Sequence, residues 1–325
     1  MILSVDKLIE LFEERIQSIA LPAEPKNLYT PIQYTLEAGG KRIRPIMVLV
    51  SCNIFSDNIE KAMNGALAIE VFHNFTLLHD DIMDNADVRR ARATVHKKWN
   101  TNVAILSGDT MLIHSYKLLA KCHCEQFHNV FDSFNTLAAL VCEGQQIDMD
   151  FETTADVEIN RYIDMIALKT SALIAGALQI GAQIAGANVK ECELLYNFGM
   201  NLGNAFQLQD DMLDTYGDEK TFGKRIGGDI IEGKKTFLLL TALSHADKET
   251  KERLQNILND KNITDCSKID AVRSIYDYLG VKEITQNKID DYFNNAMSII
   301  GELDVSDEKK ASVIDIAKRL IHREK

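Results

Sequence analysis

Apolar residues recur at i, i+3, i+4 and i+7 through 62–83, 101–121, 130–151, 158–187, 190–213 and 236–244. That spacing collects them on one face of a helix, and strand-like alternation is scarce. All four prolines (22, 25, 31, 45) fall in the first 45 positions, so the rest of the 325-residue chain contains no obligatory helix breaker. Charged and turn-forming residues punctuate the pattern at 56–58, 87–92, 152–156, 216–233 and 256–265. The pattern predicts an all-α fold: a single-domain helical bundle over 1–325, without a linker or a short-period repeat.

Composition supports a globular chain with a sizeable core: 46% apolar, 26% charged and 7% aromatic residues. A formal net charge of −12 excludes the basic footprint of a nucleic-acid binder. Any polyanionic ligand must therefore be held by a local cluster of cations or by metal ions. The six cysteines (52, 122, 124, 142, 192, 266) form no CxxC pair and predict reduced, buried thiols in a cytoplasmic protein. The amino terminus has acidic residues within ten positions and lacks the features of an export signal. The apolar stretch 166–187 is interrupted by Lys169, Gln179 and Gln183, which predicts a core helix and no membrane span.

Chemistry concentrates in two copies of a DDxxD pattern, Asp80-Asp81 with Asp84 and Asp210-Asp211 with Asp214. On a helix, residues i and i+4 share a face, so Asp80 and Asp84 point together, as do Asp210 and Asp214. Like charges so placed repel unless a cation lies between them, and carboxylate oxygens are the hard ligands that Mg²⁺ takes. A single cluster of this kind is more readily explained as a solvated helix end. Two of them, each following an apolar run (72–78 and 205–208), point instead to a diphosphate clamp that bridges metal to substrate phosphate.

Cations stand where such a ligand needs them. Gly39-Gly40-Lys41-Arg42-Ile43-Arg44-Pro45 joins flexible backbone to three basic side chains, and Arg89-Arg90 follow the first acidic cluster. Arginine forks bind phosphate bidentately and lysine supplies a compact charge, although either segment alone also reads as a solvated patch, the favoured reading of an isolated GGKR. His73, seven residues before Asp80, shares its helical face within about 20°; without that relation it reads as a core histidine. His79 has no comparable geometry.

The set GGKRIRP, HDDIMDNADVRR and FQLQDDMLD resembles the trans-isoprenyl diphosphate synthases, the polyprenyl synthetase family, in order and spacing over nearly the whole chain. The similarity extends through 93–96, Gly108-Asp109, Gly144-Gln145 with Asp148, Lys169-Thr170, and Gly223-Lys224 to Asp229 and Lys234. The resemblance implies a helical bundle of the type I isoprenoid synthase fold, with a deep central cavity whose mouth the two aspartate motifs face, and a homodimer. It implies Mg²⁺, three ions per site, bound by Asp80, Asp84 and Asp210 with Asp81, Asp211 and Asp214 in support. Arg89, Lys169, Thr170, Gln207, Lys224 and Lys234 would hold the allylic diphosphate; Lys41, Arg44, His73 and Arg90 would hold isopentenyl diphosphate.

The implied reaction ionises the allylic C–O bond, lets the isopentenyl double bond attack, and returns a proton to diphosphate. Product length is expected to depend on Phe72, Phe75 and Thr76 below Asp80. The Phe-Thr pair is similar to geranylgeranyl-forming members (C20). Phe72, roughly 12 Å below Asp80 along the helix, keeps farnesyl diphosphate (C15) open. The loop 223–229 carries one residue more than some members, so Lys224 and Arg225 are interchangeable as diphosphate contacts. The preferred primer (dimethylallyl, geranyl or farnesyl diphosphate) stays undetermined. A class I terpene cyclase or head-to-head synthase would not need Lys41, Arg44 and Arg90, and a non-catalytic partner subunit would not need two intact DDxxD motifs. An HD-type phosphohydrolase, suggested by His79-Asp80, leaves the second motif unexplained.

Overall fold

The computed structural model describes residues 2–218 and 226–321. In chain order the helices are α1 (Val5–Gln17), α2 (Lys26–Leu36), α3 (Ile43–Phe55), α4 (Glu60–Met83), α5 (Val95–Lys98), α6 (Thr101–Leu119), α7 (Phe127–Thr153), α8 (Ile159–Ile166), α9 (Ala172–Ala185) and α10 (Val189–Tyr216). They continue as α11 (Gly228–Glu232), α12 (Phe237–His245), α13 (Lys248–Asn259), α14 (Asp265–Tyr278), α15 (Val281–Gly301) and α16 (Asp307–Ile321). Among the described residues the only sheet is a hairpin of β1 (Val88–Arg89) and β2 (Arg92–Ala93). The all-α expectation holds.

Local chemistry sets the helix starts. Ser4, Asn100, Thr236, Asp247 and Thr264 each accept a hydrogen bond from a backbone N–H in the following turn, satisfying groups with no intrahelical partner. Pro45 lies in the first turn of α3, where a missing N–H costs nothing, but Pro31 sits inside α2, so it does not break that helix. The expected single helix over 158–187 is instead α8 and α9 joined by one π-helical turn, Ala167–Ser171. The expected loop over 87–92 contains the hairpin. Its two-residue turn, Arg90-Ala91, has positive φ at both positions (50° and 58°), as a type I′ turn requires.

Residue contacts group into two compact units. The first runs to Phe134 and takes in Gly176–Leu195 and Leu303–Ile316; the second comprises Asn135–Ala175, Tyr196–Glu302 and the chain from Ala317. In the first, α4 packs on α3 and α6, burying Ile46, Leu49, Ile69 and Phe72. Gly181 of α9 meets Val48 of α3 so closely that a Cβ would fall 2.1 Å from its carbonyl oxygen. In the second, Leu238, Leu254, Val272, Tyr276 and Val281 form a buried cluster from α12, α13, α14 and α15.

The helical run Ile159–Ala185 is long and apolar enough to cross a membrane, but 78% of its most apolar window is buried inside the protein, as for a core helix. All six cysteines are free; Cys52, Cys122 and Cys192 are buried as expected, whereas Cys142 and Cys266 are exposed and Cys124 is intermediate. Helical periodicity did not separate these cases because α7 and α14 each carry a cysteine on a solvent face.

Candidate active site

In the first unit, α4 ends at the first aspartate cluster, and the hairpin returns Arg89 to it. Arg89 donates through Nη2 to Asp80 Oδ2 at 3.0 Å and through Nε to Asp81 Oδ1 at 2.5 Å. Asp81 is buried, which pushes its carboxyl up, and the adjacent Arg89 charge opposes that shift. Asp84 is the exposed C-cap of α4. The turn sends the next arginine elsewhere: Arg90 donates to the Gly39 carbonyl, and its guanidinium lies over Gly40, where a Cβ would meet Arg90 Cζ at 2.9 Å.

Arg44, in the first turn of α3, donates from Nη1 to His73 Nε2 at 3.1 Å. Burial, then the Arg44 charge, hold His73 well below the usual histidine range, so it is a neutral acceptor with its proton on Nδ1. The structure thus brings Arg44 and His73 into contact and sets Arg90 on the Gly39-Gly40 backbone that precedes exposed Lys41. Arg42 is a correction to the three-cation reading of 39–45. Its φ of 50° turns it inward, where it is buried and bonded to Glu13 and Glu70 at 2.7 and 2.6 Å, leaving Lys41 and Arg44 as the outward cations. Below Asp80, Phe72 packs on Phe75 and Phe134 with ring centroids 5.6 and 5.5 Å apart, and Thr76 donates to the His73 carbonyl. His79 is accounted for locally by the Phe75 ring and the Ile105 carbonyl.

In the second unit, the π turn presents Lys169 and Thr170. Lys169 Nζ lies 2.5 Å from Asp148 Oδ2, and Thr170 donates to Gln207 Oε1 at 3.0 Å. Gln207 Nε2 in turn donates to Asp211 Oδ1 at 3.0 Å, and the Tyr162 hydroxyl donates to Asp211 Oδ2. Burial, then the nearby Asp229 charge, raise the Asp211 carboxyl well above the carboxylate range. Asp229 is itself pushed up to about 7 by burial and then by Asp214, whose Oδ2 accepts from the Asp229 N–H at 3.0 Å. Lys234 pairs with Glu232 on an exposed stretch. Lys224 and Arg225 lie outside the described residues.

Sequence reasoning missed Tyr162 as a member of this cluster and named Asp229 only within the resemblance, without a role. A tyrosine on the apolar stripe of 158–166 carried the available signal, because a buried phenol needs a hydrogen-bond partner.

Both clusters present carboxylate oxygens alone, a donor set suited to a hard cation. Among the described residues no three Asp, Glu, His or Cys side chains converge as a metal site. Open carboxylate sites of this kind match Mg²⁺, which completes its shell with water and phosphate oxygens. Burial is the first cause of the upward shifts of Asp211 and Asp229, and neighbouring carboxylates add to it.

Residues 25–279 match the family model described as polyprenyl synthetase. The chain is 35% identical over 302 residues to a geranylgeranyl diphosphate synthase of Sulfolobus acidocaldarius, covering 92% of this chain and 91% of that one. A crystal structure of a geranylgeranyl pyrophosphate synthase superposes with a TM-score of 0.94 at 43% identity, over 99% of this chain and 100% of the other. A geranylgeranyl pyrophosphate synthase from Corynebacterium glutamicum, complexed with isoprenyl diphosphate and magnesium, matches with a TM-score of 0.84 at 27% identity, over 98% and 96% of the two chains.

Proposed function

The chain belongs to the polyprenyl synthetase family, and we propose that it condenses isopentenyl diphosphate with dimethylallyl, geranyl and farnesyl diphosphates to make geranylgeranyl diphosphate. It is a short-chain prenyltransferase. The observation that carries the finer reading is Arg89 joined to both Asp80 and Asp81, on the helix that also holds His73 against Arg44. Carboxylates for a metal and cations for phosphate are there assembled side by side.

Arg44, neutral His73, Arg90 and Lys41 bind the diphosphate of isopentenyl diphosphate and orient its double bond. Arg89, Lys169, Thr170, Gln207, Lys224 and Lys234 grip the allylic diphosphate. Arg89 and Lys169 rest on Asp80, Asp81 and Asp148, charges they can exchange for substrate phosphate at little cost in desolvation. Asp80, Asp84 and Asp210, supported by Asp81, Asp211 and Asp214, would hold Mg²⁺, three ions per site. Bound there, the metal would supply Lewis-acid neutralisation of the departing diphosphate. The cationic side chains stabilise the same developing charge as the allylic C–O bond ionises. The isopentenyl double bond then attacks the carbocation, and a proton passes to the released diphosphate.

The C20 assignment rests on the names of the relatives and on the Phe72–Phe75–Phe134 cluster beside the first aspartates. The proposed setting is cytoplasmic and the assembly a homodimer. On α6, Leu106 and Ile113 are 58% and 56% exposed, and Asp109 and Lys117 stand one turn to either side of Ile113. That arrangement complements itself about a two-fold axis.

The test is incubation of the purified protein with isopentenyl diphosphate, Mg²⁺ and each allylic primer, followed by mass spectrometry of the products. Accumulating C20 diphosphate supports the proposal, and C15 shortens the assigned product. No elongation from any primer by folded protein overturns it in favour of a cyclase or a partner subunit.

A further inference from the structure

Asp211 differs from its two neighbours in the second aspartate cluster. It is only 4% exposed, and each of its oxygens accepts a hydrogen bond from a neutral donor of the same unit: the Tyr162 hydroxyl on Oδ2 and the Gln207 amide on Oδ1. Asp210 and Asp214 are half-buried on the same helix. The chain of bonds continues from Gln207 Oε1 to the Thr170 hydroxyl, one residue from Lys169 in the π turn. Four side chains thus tie α8, the π turn and the last turns of α10 together.

A carboxyl group so held faces into the protein, and its geometry is set by the groups bonded to it. Tyr162 stands at the opposite end of this chain of bonds from Thr170, and it is buried at 3% exposure on the apolar stripe of α8. Deleting a purely packing hydroxyl there would loosen the fold without altering ligand binding. Deleting one that fixes Asp211 would disturb the turn carrying Asp210 and Asp214.

We propose that Tyr162 is a positioning residue, which through Asp211 holds the second aspartate cluster in the geometry that binds metal and diphosphate. The inference rests on the prenyltransferase reading for what the cluster binds. Partners that orient metal-binding groups from behind commonly govern affinity by about 10–100-fold.

The test titrates Mg²⁺ into protein containing inorganic pyrophosphate and follows the thermal midpoint, without turnover. Tyr162→Phe keeps the ring and its packing, and is expected to raise the Mg²⁺ concentration at half-effect about tenfold or more. Tyr276→Phe, a buried phenol in the apolar cluster of the same unit, is the control expected to leave it unchanged. In steady state, Tyr162→Phe should raise KM for the allylic diphosphate and leave KM for isopentenyl diphosphate alone. Tyr162→Phe combined with Asp211→Asn should bind Mg²⁺ no more weakly than Asp211→Asn by itself, because both changes cut one link. A Tyr162→Phe protein with a lowered melting temperature but a wild-type Mg²⁺ response, or additive losses in the double variant, overturns the inference. Wild-type protein that fails to elongate any primer overturns the prenyltransferase reading instead, and the Mg²⁺ titration then decides the role of Tyr162 by itself.

Discussion

Gly144 of α7 lies so close to the backbone of Lys169 that a Cβ on it would fall 2.3 Å from the Lys169 nitrogen. The neighbour is main chain and cannot swing away, so Gly144→Ala must push α7 and the π turn apart. Since Lys169 is proposed to grip the allylic diphosphate, displacing it by about 1 Å is expected to lower kcat/KM for that substrate about 100-fold. Steady-state kinetics with geranyl diphosphate varied check this, and an unchanged value would detach Lys169 from substrate.

Asp80→Ala and Asp210→Ala are each expected to reduce turnover by about 10²–10³ or more, the scale of losing one electrostatic stabiliser of the departing group. Both residues are half-buried, so far-UV circular dichroism and the melting temperature should stay near wild type. A folded variant of either kind working at a near-normal rate would defeat the metal assignment.

Phe75→Ala is expected to lengthen the product by at least one C5 unit, because Phe75 covers Phe72 on the same side of α4. Mass spectrometry of products from farnesyl diphosphate reads the result. An unchanged product length removes Phe75 from the control of chain length.

Glu70→Ala removes the buried partner of Arg42 Nη1, leaving that guanidinium only Glu13 and the Leu36 carbonyl, and removes the side-chain acceptor of Asn74. Breaking one partner of a buried pair costs about 3–5 kcal/mol. Urea unfolding should show that loss, whereas a change under 1 kcal/mol would mean that water reaches Arg42.

Burial pushes the Cys52 and Cys122 thiols up to about 12, whereas in the unfolded chain they ionise near about 8.5. Between those limits the folded protein holds protons that the unfolded chain has lost. Stability contributed by these thiols is therefore complete below about pH 8.5 and declines as pH rises toward 12. Denaturation midpoints from pH 8 to 10 should fall less in Cys52→Ala than in wild type. Alkylation of native protein at pH 8 should modify exposed Cys266 and Cys142 first, with Cys52 and Cys122 reacting only on unfolding.

The helices were readable because apolar spacing persists over many turns, and the aspartate motifs because a repeated i, i+4 pair of like charges demands an explanation. The π turn was not, since one extra residue shifts the stripe without any glycine or proline to mark it. Among Lys41, Arg42 and Arg44, only the left-handed backbone at Arg42 decides which cation turns inward, and basic spacing does not encode that. Tyr162 belonged to the apolar stripe by pattern and to the acidic cluster by its hydroxyl, and periodicity reports only the first.

The Arg90-Ala91 turn has a consequence for how this region can vary. Surface loops usually absorb insertions and deletions, but these two positions partition consecutive arginines, Arg89 to the aspartates and Arg90 to the Gly39 carbonyl. Adding or removing one residue would exchange the faces of the ribbon and send each guanidinium to the other's destination. Descendants of this gene can therefore trade side chains at exposed Val88, while Ala91, at a φ of 58°, favours glycine, asparagine or aspartate as replacements and the length of the hairpin stays locked.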